Sequence, residues 1–198
     1  MSIAHELARR AGYDRHGDQA SGVPSTAAIG GHPIHPMLIP FPLAFLSATL
    51  ATDLAYLRTR NPFWAEASRW MLRAGLASGA AAGVFGAVDY VTIHRAHRSG
   101  VGKVHALGNM AAMALAAANL AARHDDPEGA VEGRGVALSG AVAALLGLTG
   151  WAGGELSYRH GVGVSSSHEQ PPLVGAPEGR PRPRPRTHGE RPRAVAGW

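Results

Sequence analysis

Four stretches of this chain carry no formal charge: Met37–Thr52, Ala74–Val88, Ala106–Ala122 and Gly135–Gly154 contain no Asp, Glu, Lys or Arg. Extended to the nearest polar residues, each reaches about 20 residues, the length of helix that crosses a hydrocarbon layer of roughly 30 Å. A soluble four-helix bundle keeps a charged stripe on each helix to face water, and these runs keep none. Mean hydropathy over the whole chain is near zero only because the charge is gathered in the ends and the connections. The sequence therefore predicts an all-α fold, a four-helix transmembrane up-and-down bundle with helices at about 37–57, 70–93, 104–122 and 136–156. Residues 1–30 read as an N-terminal segment and 31–164 as the membrane domain. Residues 165–198 read as a disordered tail, because Arg180-Pro-Arg-Pro-Arg-Pro-Arg186 has nothing with which to build a core.

The lipid bilayer is the first partner this pattern implies. There are no cysteines, so disulfides, thiolate metal sites and thioether-linked haem are excluded. No Gly-x-Ser-x-Gly elbow and no His-Glu-x-x-His occurs, which argues against a conventional hydrolase. The net charge of +5 lies mainly in the tails. It bears on topology and on anionic lipid headgroups near the basic tail, and no specific nucleic acid is expected. Counting Lys and Arg beside the helix ends places both termini in the cytoplasm of a multi-pass cell-membrane protein.

Gly30-Gly31-His32-Pro33-Ile34-His35-Pro36 leads into the first helix. Pro40 and Pro42 lack an N–H and leave carbonyls near Pro36 and Leu38 without helical partners, which predicts a kinked, locally polar helix mouth. Gly75, Gly79 and Gly83 repeat every fourth residue in the second helix and allow a close backbone approach, read as a tight bundle rather than a dimer face. His105, Asn109, Ala112, Ala116 and Asn119 fall on one stripe of the third helix, which should face the bundle.

Up-and-down threading brings an ionisable residue from every helix to one membrane face: His32 and His35, then Asp89, then His105, then Glu155. Such residues are functional hypotheses by default. At the other face, Asp53 and Arg73 lie at similar depth and are expected to form an ion pair between the first two helices.

Taken together, Gly31-His-Pro-Ile-His-Pro36, Gly86-Ala-Val-Asp89, His105 with Asn109, and Gly150-Trp-Ala-Gly-Gly-Glu-Leu-Ser-Tyr-Arg-His-Gly-Val-Gly-Val164 resemble the domain-of-unknown-function 2231 family of predicted bacterial membrane proteins. The resemblance covers about residues 30–164. It implies a four-helix integral membrane domain and carries no settled activity, although family members occur beside redox modules.

Three readings of the polar residues stand. A haem b ligated by His35 and His105 would make the protein a carrier for a membrane redox partner. A divalent metal or proton site would use His32, His35, Asp89 and His105, with Asn109 orienting a ligand. An accessory or structural membrane protein, with no enzymatic role, would use the same residues as caps. In that reading the histidines bond the carbonyls freed by Pro40 and Pro42, and Asp89 bonds His105 or the backbone.

Overall fold

The computed structural model describes residues 22–164; the Arg-Pro tail lies outside them. Four helical spans are long and apolar enough to cross a membrane: Ile34–Thr59, Pro62–Thr92, Gly100–Ala122 and Pro127–Tyr158. Each packs mainly on its neighbours in the chain, one on two and three on four, and span four closes the ring against span one. This is the up-and-down bundle. Its large exposed side chains, among them Phe41, Leu54, Val84, Leu107, Met110 and Leu148, belong to the lipid-facing perimeter, as expected where the solvent is hydrocarbon.

The spans are longer than the uncharged runs, and the reason lies in their caps. Asn61-Pro62, which interrupts the chain after span one, also starts span two. Asn61 Oδ1 accepts from the Phe63 N–H at 3.0 Å, and Pro62 occupies the first helical position. Most of the segment between Arg58 and Arg69 is therefore helix. Span four begins at Pro127 and passes through a π-turn at Val131–Gly135, where Gly133 leaves helical geometry. Span one is interrupted at Ile39, one residue before Pro40, as the prolines dictate.

Close packing follows the small residues. A Cβ on Gly75 would lie 2.5 Å from the Leu46 side chain, and one on Gly79 would lie 2.6 Å from Met113 sulfur. The glycine face of span two thus serves the bundle's interior, although a Cβ on Gly83 would meet nothing. At mid-depth Leu46, Leu72, Ala116 and Val142, one from each span, form the apolar core. The stripe on span three faces inward as its spacing requires: Ala112, Ala116 and Asn119 are buried, and His105 and Asn109 are half-buried.

Residues 22–33, which lead into span one, are structured. Ala28–Ile29 and His32–Pro33 form an antiparallel hairpin closed by Gly30 and Gly31. Both glycines have positive φ (58° and 82°), the conformation a two-residue hairpin turn requires. Val23 pairs with Gly161–Gly163 beyond the end of span four. The segment is a strap across the end of the bundle where the described chain begins and ends.

Candidate functional site

Two ends of the bundle are polar, and the core between them is not. At the strap end His35, from span one, and His105, from span three, have ring centroids 6.1 Å apart and planes at 89°. Each ring is fixed from outside the pair. His35 Nδ1 lies 2.9 Å from the Ala82 carbonyl oxygen, and His105 Nδ1 lies 2.8 Å from that of Thr149. A carbonyl only accepts, so each Nδ1 carries the hydrogen. In a neutral imidazole with this tautomer the lone pair lies on Nε2. Glycine makes the fit: a Cβ on Gly86 would sit 2.8 Å from His35 Nδ1, and one on Gly153 would sit 3.0 Å from His105 Cε1. Asn109 donates to the His105 carbonyl at 2.8 Å and accepts from Thr149 Oγ1 at 3.0 Å, tying span three to span four beneath the ring. Its Nδ2 also lies 3.4 Å from His105 Nε2, a weak contact.

The other sequence candidates at this end do not join the pair. His32 is exposed in the hairpin. Asp89 is committed to the strap: its carboxylate accepts from Ser25 Oγ at 2.7 Å, from the Thr26 N–H at 2.9 Å and from the Ala27 N–H at 3.1 Å. Glu155 pairs with Arg159 one turn on, at 3.2 Å. The expected set of His32, His35, Asp89 and His105 is therefore divided. Among the described residues no three His, Asp or Glu side chains converge as a metal site would need. The histidines also do not bond the carbonyls freed by Pro40 and Pro42; they reach spans two and four instead.

At the opposite end Asp53 does not pair with Arg73. Arg73 is exposed, its guanidinium 4.8 Å from the centre of the Trp70 ring. The inward face of span two runs through Ala65, Ser68, Leu72 and Gly75, and Arg73, one residue past Leu72, is turned about 100° away. Asp53 instead takes Arg123 in a two-pronged pair, Nη1 to Oδ1 at 2.7 Å and Nη2 to Oδ2 at 2.8 Å, with both side chains fully buried. Ser139 Oγ donates to Asp53 Oδ2 at 2.6 Å, Ser68 Oγ donates to Oδ1, and Arg123 Nε donates to Asn119 Oδ1 at 3.0 Å. All four spans contribute. Sequence reasoning does not single out Arg123, because it lies just past the end of span three among loop charges. Its signal was present, since the 4-3-4-3 stripe of His105 to Asn119 continues by four to reach it.

A family model described as predicted membrane protein (DUF2231) matches residues 31–166. The chain belongs to that family. The match spans the four helices and both polar ends, and it begins at the glycine that closes the strap's hairpin. As a DUF2231 protein with four membrane-length helices, the molecule is a multi-pass membrane protein. No curated protein and no solved structure matches the chain.

Proposed function

We propose that this DUF2231 protein carries a haem b on His35 and His105 and passes electrons to a membrane redox partner. The observation that carries the reading is the fixed imidazole pair. His35 and His105 come from facing spans with ring centres 6.1 Å apart, and these two imidazoles would be the residues that hold the iron. The Nδ1–H to carbonyl bond of each ring is the outer-shell contact that orients a metal-ligating histidine and leaves Nε2 to the metal. The number of ligands also counts. A structural divalent site takes about four protein groups, whereas a haem b would need only His35 and His105 from the protein.

In this reading His35 and His105 would hold the iron, while the Ala82 and Thr149 carbonyls hold the rings in register. Gly86 and Gly153 let spans two and four close behind them, and the lipid-facing perimeter keeps bulk water away. Haem iron would supply one-electron transfer. The strap end is read as cytoplasmic, in the cell membrane, on the distribution of Lys and Arg.

The test is a visible spectrum of the protein purified in mild detergent from cells supplied with a haem precursor. The expected result is a Soret band and a reduced-minus-oxidised α band, both lost in His35→Ala and in His105→Ala. Colourless wild-type protein, or bands that survive in both variants, refutes the reading.

A further inference from the structure

The strap runs from the end of span four to the end of span two and back to span one. At span four, the Val23 N–H donates to the Gly161 carbonyl and the Val23 carbonyl accepts from the Gly163 N–H, both at 2.8 Å. At span two, the Asp89 carboxylate accepts from the Ser25 and Thr26 hydroxyls and from the Thr26 and Ala27 amides. At span one, the Ile34 N–H donates to the Ala27 carbonyl at 2.9 Å. We propose that this strap is a lid over the His35–His105 pair, latched by Asp89, and that its opening admits small polar molecules from the aqueous side to the two rings. The inference rests on the reading of that pair as the functional site.

Position is the first support. The strap joins the two spans whose carbonyls hold the rings. Gly86 of span two lies against His35, and Asp89 is three residues on, about 4.5 Å along the helix. Gly153 of span four lies against His105. Leu156, again three residues on, accepts from the N–H of Val162, the residue bridged to Val23. The strap's anchors on spans two and four thus lie about one turn beyond the two glycines that clasp the rings.

The way the strap is held is the second support. None of residues 22–33 is buried, so no side chain roots it in the apolar core. Its hairpin turn stands clear of the bundle: Ile29 is 72% exposed, and a Cβ on Gly30 or Gly31 would meet nothing within 4 Å. The centre of the strap therefore hangs on one carboxylate. A segment with exposed hydrogen bonds and few buried contacts opens locally at a fraction of the global unfolding free energy. The rings beneath are fixed by the Ala82 and Thr149 carbonyls instead, so opening uncovers the pair without unfolding the bundle.

Diethyl pyrocarbonate, which acylates the free nitrogen of a neutral imidazole, tests the lid. The full chain is purified in detergent from cells given no haem precursor, so that iron does not compete for the rings, and labelling is read at each histidine by peptide mass spectrometry. His32, exposed in the hairpin, is the internal reference. In wild type, His35 and His105 should react more slowly than His32. Asp89→Ala should speed both about tenfold, the equivalent of losing one hydrogen bond to a charged group, and leave His32 unchanged. A second variant keeps Asp89. Thr26 Oγ1 and Thr92 Oγ1 lie 2.6 Å apart and the chain has no cysteine, so Thr26→Cys with Thr92→Cys allows a disulfide that locks the strap shut. Its oxidised form should label His35 and His105 more slowly than its reduced form. Rates that match His32 in wild type, that do not rise in Asp89→Ala, or that are equal in the oxidised and reduced forms overturn the lid. A colourless wild-type protein in the haem test refutes the haem and leaves these rates to judge the lid.

Discussion

Replacing Asp53 by Asn should be among the most damaging single changes in this protein. The carboxylate is fully buried and receives both prongs of Arg123 at 2.7 and 2.8 Å, with Ser139 and Ser68 as further donors. Asn keeps the shape but removes the charge, and its amide N–H would face guanidinium N–H groups. Arg123, also fully buried, is then left uncompensated. Breaking a buried pair from one side costs about 3–5 kcal/mol. At roughly 2–4 °C per kcal/mol for a chain of this size, the melting temperature should fall by roughly 6–20 °C. The assay is thermal unfolding in one detergent, followed by helical circular dichroism. A double variant, Asp53→Leu with Arg123→Met, removes both charges and should recover most of the loss, since an apolar pair has no desolvation cost to offset. Arg73→Ala, on the outer surface, should change little. An Asp53→Asn protein melting within about 2 °C of wild type would refute the reasoning, as would an Arg73→Ala protein that falls equally far.

Three further outcomes follow from the strap end. Gly86→Ala places a Cβ 2.8 Å from His35 Nδ1 and should displace the ring from the Ala82 carbonyl, so the haem absorbance falls while helical content holds. Gly83→Ala, whose Cβ meets nothing within 4 Å, is the matched control. Asp89→Ala removes the acceptor shared by Ser25, Thr26 and Ala27, and limited proteolysis in detergent should then cut within residues 22–33 faster than in wild type. In sealed inverted vesicles, protease should remove the C-terminal tail, and a protected tail would reverse the proposed orientation.

The bundle and its polar ends differed in how far they could be read from the residues. The stripe on span three could be read because helical periodicity alone fixes which side chains share a face, and Ala112, Ala116 and Asn119 are buried as that spacing requires. The pairing of His35 with His105 was also within reach, because both open spans that start at the same end. The Asp53–Arg73 pair failed for a definite reason: depth follows from counting residues, but the rotation of one helix against another does not. Arg73 has the right depth and the wrong side of its helix. Asp89 failed differently. Its partners came from Ser25–Ala27, a stretch with no periodicity to announce a fold, held by the two-glycine hairpin that follows it.

By itself the sequence determined that four helices cross the membrane and that both described ends of the chain meet on one side. The absence of charge over each run leaves a backbone no better way to satisfy its N–H and C=O groups in lipid. The same reasoning placed polar residues at both ends and a small-residue seam between them. Only the tertiary structure decided which polar groups meet. Arg123 rather than Arg73 closes on Asp53, the strap rather than the imidazoles holds Asp89, and Gly86 and Gly153 are where the backbones come close enough to clasp two rings. Those outcomes depend on the rotation of each helix about its own axis, which is set by packing contacts such as Leu46 against Gly75 and Met113 against Gly79.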